Sequence, residues 1–284
     1  MAVTPVRRRP VDGSLGRSGA VRGRRQAPLL RIRGSLPMTW RVGLGCLGVA
    51  LTILAWWAGA AGSTSSVFPT PGATWSALLR LRDHGLLWPA VWASSKRILV
   101  GYSISVGIGV VLGTAIGTFA SLEALFEAPI GFLRYIPATA LTTVFLLWFG
   151  LGETPKVWLI VVGTAFFNVL MVADVARAVP RELLNTSYTL GAGRLTVVRR
   201  VILRHSAPGI IDVARINLAA AWLMLAVAET LAANSGMGYE IVRANRFRAV
   251  DSVFAILIVF GVIGLVSDLL LRMLRSVSSP WARP

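Results

Sequence analysis

The chain has 284 residues, 55% of them hydrophobic and 14% charged, with a mean hydropathy of +0.68 and a formal net charge of +17. A soluble domain of this length does not carry so much apolar side chain, so the composition excludes an ordinary water-soluble fold. The single cysteine, Cys46, excludes an intramolecular disulfide and a thiolate metal cluster.

Residues 1–41 form an Arg-rich tail in which Arg7, Arg8, Arg9, Arg22, Arg24 and Arg25 stand among Gly and Ser. Such a tail before an apolar run is predicted to be disordered and to orient the chain against anionic lipid headgroups, in preference to binding nucleic acid. A helix crosses hydrocarbon with about 20 mostly apolar residues, since each rises ~1.5 Å and the core is ~30 Å thick. Windows of that kind predict six spans in an all-α integral membrane protein. They cover residues 42–61, 98–119, 135–152 with Pro137 near its start, 157–173, 209–231 and 252–271.

The first apolar run ends in Ala58, Gly59 and Ala60, which mimic a signal cleavage site. The run is about twice as long as a signal core, so it is taken as an uncleaved span. Residues 63–95 are too polar to cross and are broken by Pro69, Pro71 and Gly72. Leu79, Leu81, Leu86, Leu87 and Trp88 predict a surface helix there, on the periplasmic face. Trp56, Trp57, Trp148 and Trp281 fit interfacial belts.

Lys and Arg mark the cytoplasmic side. Twenty of the 29 fall in the N-terminal tail, the loops after spans two and four, and the C-terminus, against eight in the alternate loops, Lys96 and Arg97 among them. Both termini and residues 181–208 are therefore predicted to be cytoplasmic. That segment reads as helix, turn and helix. Glu182, Leu183 and Leu184 open it, Gly191 and Gly193 turn it, and Val197, Val198, Val201 and Ile202 share one face of the second helix. Arg194, Arg199, Arg200 and Arg204 occupy the flanks, and Pro208 with Gly209 is expected to end the pattern as span five begins.

No phosphate-cradling loop, paired metal-ligand motif or nucleophile elbow is present, and His84 and His205 stand alone in predicted loops. Neither covalent catalysis nor ATP hydrolysis is expected of this polypeptide.

At residues 181–208 the sequence resembles the permeases of binding-protein-dependent ABC importers. Their cytoplasmic loop reads EAA, three residues, Gly, nine residues, Ile, one residue, Leu-Pro. Here Gly191 matches the Gly, Val201 stands for Ile and Leu203 for Leu. Asn185, Thr186 and Ser187 replace Glu-Ala-Ala, Arg204 replaces Pro, and Glu182 lies one helical turn before Asn185. Further pieces resemble the branch handling nitrate, sulfonates, taurine and bicarbonate: FPTP at Phe68 to Pro71, HGLLW leading to SSKRILVGYS, LLWFGLGE ending at Glu153, TLGAGR at Thr189 to Arg194, AAAWLMLAVAE ending at Glu229, SGMGY at Ser235 to Tyr239, and Pro280 with Trp281.

The resemblance implies a type I importer transmembrane domain over residues 42–284, in the bacterial inner membrane. It further implies two ATPase subunits that bind ATP and Mg, a second copy of the permease, and a periplasmic or lipid-anchored solute-binding protein. The chain itself would hold no cofactor and no metal. Glu182, Asn185, Thr186, Ser187, Tyr188, Thr189, Leu190, Gly191, Ala192 and Arg194 would then meet the ATPase, with Gly191 giving close backbone approach and Tyr188 and Leu190 acting as packing knobs.

Pathway or gate candidates are Phe167, Asn168, Arg215, Glu229 and Asp268, since intramembrane polar groups mark lined interiors or helix contacts. Two readings of Glu229 stand, a periplasmic gate or a solvated interfacial carboxylate. Arg215 with Asp268 and Asp212 reads equally as a structural ion pair, a headgroup contact or a substrate group. Gly236 and Gly238, as a flexible approach to Tyr239, are candidates for docking the binding protein. A stand-alone secondary transporter or channel and a scaffold are the alternative classes; the first often shows an internal repeat or mid-membrane ionisable residues, neither of which is evident, and the second has no need of the Gly191 segment.

Overall fold

The computed structural model describes residues 37–62, 67–232 and 234–279, and among these every regular element is helical. The chain divides into two units, Met1–Leu54 and Ala55–Pro284, with the division inside the first helix. That helix, α1, runs Met38–Ala61; Leu44, Leu47, Leu51 and Leu54 are all exposed, as lipid-facing side chains are when no water drives them inward. The tail to residue 36, and Pro280 with Trp281, lie outside the described residues.

In the second unit α2 is Pro71–Asp83, opened by Thr70, whose hydroxyl accepts from the Ala73 N–H. The turn through His84 and Gly85, the latter with φ +68°, leads directly into the second spanning helix, α3, at Leu87–Thr118. The span thus begins eleven residues before the predicted 98, and Trp88 to Arg97 belong to it rather than to a loop. The charges of Lys96 and Arg97 had masked its start.

The predicted span over 135–152 is not one helix. Pro137 lacks an N–H and disfavours helix at Ile136, so α4, Ala120–Leu133, stops before it. A turn and a 3-10 stretch, Ala138–Ala140, lead into α5, Leu141–Phe149, at 71° to α4. Nine residues rise only about 13 Å, too short to cross alone. Among the described residues, five helices are long and apolar enough to cross a membrane, and six crossings result if the bent pair α4–α5 counts as one.

α6, Thr154–Arg177, is the axle of the unit and packs against α3, α4, α5 and the long helix through Leu203–Ala232. Its contact with α3 follows a four-residue repeat of small residues, Gly101, Ser105, Gly109, Gly113 and Gly117. A Cβ on Gly109 would sit 2.7 Å from that of Asn168, and one on Gly117 would collide with the Ala173 carbonyl. Lipid supplies no hydrophobic drive for helices to associate, so close backbone approach must hold this pair. The helix widens to π geometry over Gly109–Gly113 at the same contact.

α7, Arg181–Thr189, is followed by α8, which starts as Arg194–Thr196, turns π-helical over Val197–Ile202 and continues as Leu203–Ala232. Pro208 and Gly209 do not end the pattern. Both lie within α8, as does His205. An interior proline costs roughly 3 kcal/mol, and here packing on α6 offsets it: a Cβ at Gly209 would lie 2.7 Å from Val175. α9 is Met237–Arg246 and α10, the last span, is Val250–Ser278. Trp222, Leu225, Met237 and Ile256 join α8, α9 and α10 with α3 in the largest buried cluster.

Candidate functional site

Polar side chains gather at four levels along the bundle. At one end α7 closes in a Schellman turn, with the Gly191 N–H on the Tyr188 carbonyl at 2.9 Å and the Ala192 N–H on the Ser187 carbonyl at 3.0 Å. Gly191 has φ +81°, which an L side chain rarely adopts, and nothing surrounds its Cβ position. The segment is stiff because its inner face is buried: Val197 and Ile202 pack with Ala176 and Val179 at the end of α6. Those two residues are five apart, the repeat of a π-helix rather than of the α-helical face expected from sequence.

The outer face of this turn carries apolar groups. Leu190 is 82% exposed, and Tyr188 and Leu195 are also exposed. Glu182, Asn185, Thr186 and Arg194 share that exposed surface, whereas the Ser187 and Thr189 hydroxyls bond back to Leu183 and Asn185 of their own helix.

The next level holds Arg215, whose Nε donates to Asp268 at 2.6 Å, with Asp212 3.4 Å away. Arg272 bonds Asp268 and Arg275 pairs with Asp212, so five side chains of α8 and α10 form one chain of charge. Its members keep part of their surface exposed.

Mid-bundle, Ser105, Thr164, Asn168 and Asn217 form a buried network across α3, α6 and α8. Thr164 and Asn168 both donate to the Ser105 hydroxyl, at 2.7 and 2.9 Å, and Asn217 donates to Asn168 at 2.8 Å. The Tyr102 hydroxyl donates to the Ala214 carbonyl beside it. Asn168 thus links all three helices by hydrogen bonds. Phe167, next to it, turns away and is 41% exposed on a cavity of about 390 Å³ at the break between α4 and α5, with Arg134, Tyr135, Phe166 and Met224.

At the far end Arg97 is buried, its side chain 3% exposed, and all five of its N–H donors are used. Nη1 donates to Glu229 at 2.6 Å and to the Ser235 carbonyl; Nη2 donates to Glu153 at 2.8 Å and to the Ser235 hydroxyl; Nε donates to Glu153 at 2.6 Å. The Glu229 side chain is fully buried and also accepts from Ser94 and, at 2.8 Å, from the Gly238 N–H. Glu229 is therefore not a solvated interfacial acid. It fastens α8 to α3 and α9.

Gly236, at φ +112°, and Gly238 serve the same fastening, because a Cβ on either would run into Glu229. They are fixed points rather than a flexible approach, and Tyr239 is half-buried just beyond them. Lys156, 5% exposed, donates to Glu153 at 2.8 Å. Arg97, and secondarily Lys156, hold the exposed Glu153 carboxyl down to about 2 from its ordinary 4.5.

The five pathway candidates are thus not brought together. Glu229 and Arg215, fourteen residues apart on α8, lie about 21 Å apart along its axis, with Asn168 between them. Arg97, Ser94, Glu153, Lys156, Ser105, Thr164 and Asn217 were not singled out from sequence. The four-residue repeat of small residues in α3 was the readable signal for the helix pairing behind several of them.

Residues 104–276 match the family described as the binding-protein-dependent transport system inner membrane component, and the chain belongs to it. It is a multi-pass membrane protein. It is 30% identical over 231 residues to a probable ABC transporter permease of Brucella melitensis, covering 81% of this chain and 94% of that one. Identity is also 30% over 242 residues to the putative aliphatic sulfonates transport permease SsuC of Bacillus subtilis, covering 85% and 88%. For the taurine transport system permease TauC of Escherichia coli it is 29% over 260 residues, covering 88% and 94%. Among solved structures, a chain of the MetNI methionine ABC transporter in an inward-facing conformation superposes with a TM-score of 0.61 at 19% identity, covering 74% of this chain and 99% of that one. The fold is thus that of type I importer permeases.

Proposed function

We propose that this chain is the membrane-spanning subunit of an ATP-driven importer. It would act as a pair of copies in the bacterial inner membrane, with both termini in the cytoplasm. The solute is a small anion or zwitterion of the sulfonate, taurine, nitrate or bicarbonate type, handed over by a binding protein on the Arg97 side. The named relatives SsuC and TauC support that class.

The observation that carries the reading is the α7 turn. An exposed apolar knob pair, Tyr188 and Leu190, sits on a Schellman turn whose inner face is locked to α6 and whose outgoing helix is the spanning helix α8 itself. Motion imposed at Gly191 by an ATPase subunit, which would hold the ATP and Mg, has no soft joint in which to dissipate before reaching the pathway. Gly191→Trp is expected to leave the permease inserted but to abolish both ATPase co-purification and solute-stimulated ATP hydrolysis. If both persist undiminished, the coupling role is wrong.

A further inference from the structure

The end of the bundle around Arg97 contains more positive charge than fastening requires. Arg97 and Glu229 already neutralise one another inside the protein, and Ser94, Ser235 and Gly238 complete their hydrogen bonds. Glu153 is a different kind of partner. Its side chain is 61% exposed and stands at the edge of a short turn, Gly150 to Gly152, where Gly150 has φ +71° and Leu151 is exposed. A crevice of about 340 Å³ opens beside it, between that turn and the segment carrying Asn234 and Ser235, with Lys156 in its wall.

We propose that Arg97 and Lys156 form a binding site for the anionic head of the solute, and that Glu153 fills this site in the present conformation as an internal stand-in. The Glu153 carboxylate accepts a side-on fork from Arg97 Nε and Nη2 together with the Lys156 ammonium. A carboxylate or sulfonate head offers the same two adjacent oxygens to that fork. The exchange is one-for-one in charge. It also has to be an exchange: if Glu153 swings out with nothing in its place, two Arg97 donors lose their acceptor. Lys156, whose one hydrogen-bond partner among the described residues is Glu153, would then be left as a buried unpaired cation.

Glu229 makes this possible. It stays on Nη1 throughout, so the guanidinium keeps its place and part of its neutralisation while the Nε side changes partner. The crevice is large enough for a small organic anion, and Asn234 and Ser235 supply its polar far wall. Arrival of the anion frees Glu153 and with it the turn between α5 and α6, so solute entry and movement of that turn become one event.

The inference rests on the importer reading for the side from which solute comes, but its test is independent of ATP-driven import. Purified full-length permease in nanodiscs, in a sulfonate-free buffer, is titrated with ethanesulfonate by calorimetry. Glu153→Gln keeps the shape of the side chain and removes the competing charge, so it should tighten ethanesulfonate binding by roughly tenfold or more. Adding Lys156→Met to that variant should abolish the gain. Ethylammonium should bind neither variant.

A purely fastening role for Glu153 predicts the opposite sign: a less stable protein with no gain in anion affinity. Unchanged or weaker binding in Glu153→Gln overturns the proposal, as does a gain that survives Lys156→Met or is matched by ethylammonium. Circular dichroism on each variant keeps misfolding apart from loss of the site. If the binding pattern is as stated while reconstituted complex fails to import, the transport reading falls and the anion site stands. Import with no such pattern has the reverse meaning.

Discussion

Two clusters on α8 have nearly the same composition and quite different physics. Arg97 with Glu229 and Glu153, and Arg215 with Asp268 and Asp212, are each an arginine held between two acids. In the first, Arg97 and Glu229 are buried and every Arg97 donor is used, only Glu153 reaching the surface, and its fasteners come from α3, α8, α9 and the start of α6. The second keeps about a quarter of each side chain open and joins only α8 to α10. A buried pair is dangerous to break because the survivor is left charged in a low-dielectric interior, while a partly exposed pair falls back on water. The same ingredients therefore make a rigid joint at one end of the helix and an adjustable one at the other.

The contrast is sharpest in single-acid deletions. Glu229→Ala removes the buried acid that Arg97 Nη1 faces, leaving the exposed Glu153 as its one counter-charge, and should destabilise the protein by about 3–5 kcal/mol, read as a large drop in thermal midpoint in nanodiscs. Arg97→Met combined with Glu229→Leu should recover much of that loss, because it removes both charges together.

A neutral control for damage to the joint comes from the glycine repeat. Gly117→Leu would force α3 off α6 and cost about 1–3 kcal/mol or more, whereas Gly43→Leu on α1, with nothing near its Cβ, should leave the yield of monodisperse protein unchanged. Asp268→Asn, the counterpart at the open cluster, should lower the thermal midpoint far less than Glu229→Ala does. An effect there as large as that of Glu229→Ala would erase the distinction.

The smallest expected effect is that of acid on Glu153. Its value in the folded protein lies below its ordinary one, so the stability it contributes is complete above pH 4.5 and is lost as pH falls toward about 2. A thermal-midpoint profile should show this acid-side slope flattened in Glu153→Gln.

The legibility of the molecule followed the same division. Long apolar windows announced α1, α6 and α10, because hydrocarbon demands apolar length whatever the neighbours do. Gly191 was readable because a Schellman turn needs a positive φ at one position, a local requirement. The start of α3 was hidden by Lys96 and Arg97, which a hydropathy window counts as solvent-facing. The run over 135–152 looked like a span because apolar content does not register the break at Pro137. Pro208 and Gly209 misled in the other direction: their local cost is real, but packing against Val175 outweighs it.

What the sequence by itself determined is the class of protein, most of the crossings and the helix–turn–helix at Gly191, all consequences of composition and of interactions within a few residues. Only the tertiary structure decided which charges are alone and which are paired. Arg97, Glu153 and Glu229 are 56 and 132 positions apart, and their meeting depends on a helix contact that glycines on α3 permit. In a medium without water, the worth of a charge is set by the partner it finds across such a contact, and no local pattern carries that information.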